Sequence, residues 1–267
     1  MGRADVVLIA AVATFATFVG AEVATRPVRV TRAVQQQADE AADSPDVAAD
    51  TADAASDTHA ELSANRRPSD QPEAPDRSPA EVRGLIGSAT GTYMTDMLAD
   101  LHGSLVRWPD RRGQGLRVWV QSMSSVHDWD LRYAQMARDA FDAWDVDLPI
   151  RFDFVIDSAT SDVRITWTDR FAPELGRRVG VTNRRSDHHG WLVEANITIA
   201  IHDSTGQTIP PADLAGIVRH EAGHALGLGH SKDPRTIMFP IETGNGISPA
   251  DRATLKLLYE LPPGLVR

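Results

Sequence analysis

The segment HEAGHALGLGH, His220 to His230, constrains this chain more than any other stretch. On a helix, residues four apart lie on one face a turn apart, so His220 and His224 can offer imidazole nitrogens to a single ion. A third ligand must come from beyond the helix. Gly227 can adopt positive φ without a steric penalty, ending the helix and returning the chain so that His230 reaches the same ion. Three neutral imidazoles leave a dication's charge uncompensated, the condition under which water bound to zinc approaches a pKa of about 7. Glu221 sits about 100° around the helix from His220. It cannot share the ion with the histidines, but it can reach the bound water, accept its proton and deliver it to a leaving amine. Chance placement of His, Glu, His, Gly and His at these offsets is on the order of one in a hundred thousand or less, against roughly one in a hundred for HExxH alone.

The flanking pattern supplies a scaffold for such a helix. Period-two alternation predicts strands at 116–121, 150–157, 162–169, 177–183 and 191–201, with the polar stretch RRSDHHG as a loop between the last two. A helix is predicted at about 129–144, with Leu131, Met136, Ala140, Phe141 and Trp144 on its apolar face. Pro210-Pro211 and Asp213 open the motif helix, because proline fits a first turn and an acid suits the dipole there. Ser248 caps a last helix that runs to Glu260.

His220, Glu221, His224, Gly227 and His230 fill every position of the metzincin signature H-E-x-x-H-x-x-G-x-x-H. The continuation through Ser231, Asp233, Pro234, Met238 and Pro240 resembles the matrixin branch, the catalytic domain of the matrix-metalloproteinase type, with Phe239 replacing the usual tyrosine. The resemblance extends over about 115–261 and implies an α+β fold: a metzincin-like catalytic domain with a twisted five-stranded mixed sheet, an antiparallel edge strand, an active-site helix, a Met-turn and a C-terminal helix. It implies one catalytic zinc on His220, His224 and His230, Glu221 as general base and acid, and Met238 as a sulfur floor that does not bind the ion. Substrate would run beside the edge strand at Val179, Gly180, Val181 and Thr182 by β-augmentation. The opposite wall would be Pro240 to Glu242. Gly216, one turn before His220, stands where matrixins place the side chain that sets S1′ depth, so a deep pocket for a large apolar P1′ residue is expected.

The chain departs from the matrixin pattern in several places. Asp251 matches the second member of an acidic pair, but Ala250 replaces the first, which in the family receives the new N-terminus after activation. With no cysteine there is no cysteine switch, disulfide or thiolate metal site. The Gly-rich loop and histidine pattern that hold the family's structural zinc and calcium are not visible between Phe171 and Gly190, so neither ion is expected. Asp187, His188 and His189 have no regular ligand spacing and read as surface loop residues before they read as a second metal site.

The remaining sequence is divided by composition. Residues 6–21 form an unbroken apolar run ending in the small-residue pattern Val19-Gly20-Ala21, so residues 1–25 read as a signal peptide or an N-terminal membrane anchor. The run is short for the ~20 residues that cross a bilayer, but it reaches that length if 22–25 are counted, which leaves both readings open. Residues 26–82 read as an acidic Ala/Asp/Pro-rich disordered linker; 35–82 carry 12 acids and 3 basic residues. From residue 83 onward 20 basic side chains face 23 acids, so the net charge of -10 belongs mostly to the linker. No nucleic-acid partner is expected. The expectation is an extracytoplasmic monomer acting on protein or peptide substrates, secreted or tethered to the membrane through residues 6–25. The alternative from another class is a non-catalytic, zinc-containing binding or adhesion module at the cell surface. Intact Glu221 speaks against that, since pure binding needs no base.

Residues 83–115 are expected to hold an amphipathic helix at 92–107, ahead of the protease domain at 116–267. Its stripe of Met97, Leu101 and Leu105 suits packing within the fold. As a prosegment, the same helix would instead bring Asp96, Asp100 or His102 over the zinc in place of cysteine.

Overall fold

The computed structural model describes residues 77–111, 114–145, 150–241 and 246–266. The expected export segment and most of the expected linker lie outside the described residues, and among those described no helix is long and apolar enough to cross a membrane. Regular structure begins four residues before the expected linker boundary, with α1 at Pro79–Ser88. Ser78 and Glu81 explain this: the Ser78 side chain accepts from the Glu81 N–H, and Glu81 accepts from the Ser78 N–H at 2.7 Å. This capping box satisfies two orphan helix donors, and the helix buries Val82 and Ile86.

The helix expected over 92–107 is shorter. α2 covers Met94–Asp100, and the chain then turns through His102 and Gly103 at φ of 52° and 78°, which an α-helix cannot accommodate. Beyond the turn, β1 at Ser104–Leu105 pairs antiparallel with β7 at Gly264–Leu265, tying this segment to the C-terminus.

The main sheet comes from β2 (Leu116–Val120), β3 (Phe152–Val155), β4 (Val163–Thr168), β5 (Gly180–Ser186) and β6 (Leu192–Ala200). Their order is β3-β2-β4-β6-β5, with β5 antiparallel to β6 and every other pair parallel. This is the expected five-stranded mixed sheet with an antiparallel edge. β5 starts and ends later than predicted, because Arg184 and Arg185 continue the ladder opposite Ala195 and Glu194 instead of entering the loop. Val179 precedes the strand, although its carbonyl still accepts from the Ala200 N–H at 2.9 Å.

Two long helices pack on this sheet and against each other: α3 (Leu131–Asp142) against β2 and β3, and α4 (Pro211–Ala225) against β5 and β6. Between helices and sheet lie Val118, Ile165, Ile197, Phe141 and Leu214, each fully buried. Leu131, expected on the buried face of α3, is 70% exposed; Tyr133, Ala134 and Ala137 form that face with Ala140 and Phe141. The last helix, α5 (Pro249–Glu260), opens with a second capping box, Ser248 with Asp251.

Candidate metal centre

α4 ends where the sequence predicts. Gly227 has φ of 109°, its N–H donates to the His224 carbonyl at 2.9 Å, and the Leu228 N–H donates to the Gly223 carbonyl at 3.0 Å. This double bond pattern is a Schellman stop, which glycine favours at that position. A Cβ on Gly227 would also collide with the Val106 carbonyl oxygen. Three side chains donate to carbonyls of the helix's last turn: Arg184 to His224, Trp108 to Ala225 and Tyr259 to Leu226, at 2.8 to 2.9 Å. The cation of Arg184 lies at the negative end of the helix dipole.

This turn returns His230 toward α4, and the ligand nitrogens of His220, His224 and His230 lie within 4.8 Å of one another. Each ring is oriented from behind. The Nδ1 of His220 donates to the Ile237 carbonyl at 2.6 Å and that of His224 to the Leu228 carbonyl at 2.9 Å, while that of His230 lies 3.3 Å from Asp100 Oδ1. With Nδ1 occupied in all three, Nε2 carries the free lone pair, so the donor set fits a zinc-class ion with an open fourth position. Burial pushes His220 down to about 4 and drives His224 well below its ordinary value, keeping both imidazoles in the neutral form that a metal requires.

Met238 has no exposed surface and packs against α4 at Gly223. Gly223 makes room for it: a Cβ there would collide with Met238 Sδ and lie 3.0 Å from Trp144. Gly229 is similar, since a Cβ would meet Asp100 Oδ2 at 2.8 Å and Met97 at 3.0 Å. Asp251 fastens the Met-turn, with Oδ2 accepting from the N–H groups of Ile237 at 3.0 Å and Ser248 at 2.7 Å, and Oδ1 from the Tyr93 hydroxyl at 3.0 Å.

Glu221 is 6% exposed and faces β5. Thr182 donates its hydroxyl to Glu221 Oε2 at 2.6 Å, and a Cβ on Gly180 would lie 2.5 Å from Oε1. Two residues expected only to line the substrate strand therefore also hold and make room for the proposed base. Burial pushes the Glu221 carboxyl up to about 7, opposed by the Thr182 hydroxyl and by the nearby cations Arg178 and Arg184. A dication in the centre favours the ionised form further.

Of the other predicted positions, Val181 is half-buried on the edge strand, Gly216 is buried within α4, and Pro240 is exposed after the Met-turn. Glu242 lies outside the described residues. Asp187 is taken up by its own turn, with Oδ1 accepting from the N–H groups of His189 and Trp191 at 2.9 Å, and it forms no ligand group with His188 and His189. In and beside α2, Asp100 Oδ2 accepts the His230 N–H at 2.9 Å, Asp96 lies 3.6 Å from Lys232, and His102 is exposed. The contact between Asp100 and His230 joins residues 130 apart and has no local sequence signal.

The matrixin family model matches residues 121–260. Metalloendoproteinase 1-MMP of Arabidopsis thaliana is 30% identical over a segment that covers 39% of this chain and 30% of that protein, so the chain spans under a third of its relative's length. A solved structure described as the GM1-bound form of the ECX AB5 holotoxin aligns with a TM-score of 0.42 at 16% identity, covering 62% of this chain and 87% of the other. The family match runs from the end of β2 to the end of α5, more than half of the chain, and takes in the three histidines, Glu221 and Met238: the chain belongs to the matrixin family.

Proposed function

We propose that this protein is a zinc-dependent endopeptidase that hydrolyses peptide bonds of extracytoplasmic proteins. The observation that carries the proposal is the pairing of three back-tethered imidazoles with a buried carboxylate held against the edge strand. His220, His224 and His230 would hold one zinc through Nε2. When bound, zinc supplies Lewis acidity that brings water within reach of deprotonation at neutral pH and polarises the scissile carbonyl. Glu221 accepts the water proton at Oε1, the oxygen that Thr182 leaves free, and passes it to the departing amine nitrogen. Ile237, Leu228 and Asp100 keep the three rings aimed during this exchange. Met238 fills the floor and excludes water from beneath the rings.

Substrate in extended form adds to β5 at Val179, Gly180, Val181 and Thr182, with Pro240 on the facing side. Gly216 contributes no side chain to α4, which favours a deep S1′ site and a large apolar P1′ residue. Residues 1–25 act as signal or anchor and 26–82 as a linker, which puts the enzyme outside the cytoplasm. To test this, the full chain is purified with zinc and given a mixed peptide library, with and without chelator. Chelator-sensitive internal cleavage before large apolar residues supports the reading. Zinc binding with no turnover overturns it in favour of a binding module, and cleavage confined to sites before Gly or Ala overturns the assignment of Gly216.

A further inference from the structure

The parallel strands β2, β4 and β6 all end on one side of the sheet, and the chain that leaves each of them carries ionisable groups. After β2 come His127 and Asp128, directly after β4 comes Asp169, and two residues beyond β6 comes His202. Ligands commonly bind at the carboxyl ends of parallel strands, where successive loops converge. Here the ligand atoms of His127, Asp128 and His202 converge to within 4.8 Å of one another.

We propose that His127, Asp128 and His202 form a second metal site for a zinc-class dication, with Asp169 as the group that orients His202. The Nδ1 of His202 lies 2.7 Å from Asp169 Oδ1, and its Nε2 lies 3.1 Å from Asp128 Oδ2. Zinc bonds of about 2.0 Å in tetrahedral geometry set neighbouring ligand atoms about 3.3 Å apart, so the observed spacing is already close to that of a coordination edge. A carboxylate behind a ligating imidazole is the usual second-shell partner of such a site. Thr208 holds Asp128 in place by donating its hydroxyl to Oδ2 at 2.8 Å, and His127 Nδ1 lies 3.0 Å from Asp128 Oδ1. His202 is 7% exposed, whereas the His127 side chain is 86% exposed, so an ion could enter from solvent without rearranging the core. Two imidazoles and one carboxylate select zinc or a similar transition metal over calcium, which prefers oxygen ligands.

All four residues lie outside the 171–190 stretch, where the family resemblance would seek structural ions, and none belongs to the histidine cluster of α4. The site would clamp the loop that opens α3 to the segment at 202–208, which leads into α4. The two segments already touch at Asp128, whose Oδ2 meets the Thr208 hydroxyl and His202 Nε2.

The test uses the full chain with zinc alone. Two variants spare the fold: His127→Ala removes an exposed side chain, and Asp128→Asn suits the left-handed backbone at φ of 62° while removing the charge. Metal content after dialysis against free zinc should be two equivalents in the unaltered protein. It should be one in either variant and one in His224→Ala, with loss of the second equivalent reported as at least a tenfold weaker affinity. In the loop variants peptide cleavage stays as it is in the unaltered protein. One equivalent in the unaltered protein, unchanged by His127→Ala and Asp128→Asn but abolished by His224→Ala, overturns the proposal and leaves His202 as an ion-paired histidine. Two equivalents retained in both loop variants overturns it as well.

Discussion

Replacing Asp100 separates the two roles that the segment before the sheet could play. Its carboxylate accepts the main-chain N–H of His230 at 2.9 Å and lies 3.3 Å from the same residue's Nδ1. Burial opposes ionisation, but these His230 contacts hold the carboxyl below its ordinary value, so the group bears charge at neutral pH. Losing the partner of a ligating imidazole typically costs 10- to 100-fold in metal affinity, about 1.4 to 2.7 kcal/mol. Asp100 is 37% exposed, so water can replace part of what is lost, and Asp100→Ala should fall near the lower end, at about 10- to 30-fold weaker zinc binding. Asp100→Asn keeps an acceptor for the His230 N–H and should lose less than about tenfold. Competition with a fluorescent chelator gives the affinity directly, and turnover is measured at saturating zinc. Affinity within about twofold of the unaltered protein would refute the positioning role. A rise in turnover in Asp100→Ala would show instead that α2 restrains the zinc site, as a prosegment would.

Gly180→Ala puts a methyl group 2.5 Å from Glu221 Oε1 and 2.9 Å from Ile217, so cleavage should fall by at least about tenfold through loss of alignment, while zinc content holds. Gly227→Ala combines positive φ with a collision against Val106; a cost of about 2 to 4 kcal/mol should appear in calorimetry as a lower Tm of at least about 5 °C. Burial opposes ionisation of Asp162, but Arg117 and Arg111 outweigh it and hold the carboxyl below its ordinary value. A depressed folded pKa gives stability that is present above the unfolded value of about 3.9 and is lost as pH falls through the folded one. Asp162→Asn should therefore lower stability at neutral pH and flatten the acid limb of the denaturation profile below about pH 4, measured by urea unfolding at several pH values.

What the sequence made legible was what short-range periodicity encodes. The offsets of His220, His224 and His230 encode one helix face and one turn, and the alternation at 162–169 and 191–201 encodes half-buried strands. The Gly227 stop was readable because only positive φ returns the chain at that point. Long-range partners left no such trace. Asp100 is on a short helix far from His230 in sequence, and Tyr93 meets Asp251 across 158 positions. Arg184 read as a polar loop residue because nothing nearby shows that it must satisfy the carbonyls of His224 and Leu228. His127, Asp128 and His202 come from separate loops and share no motif, so only the common direction of β2 and β6 brings them together.

The central claim is that Glu221 moves the proton while the histidines hold the ion. Steady-state cleavage of one good peptide by the unaltered protein and by Glu221→Gln, each with zinc content measured on the same sample, tests it most directly. Equal zinc with kcat lower by about 10²- to 10⁴-fold is the predicted result. Equal zinc with kcat within a factor of about ten would contradict it and assign the base to another group.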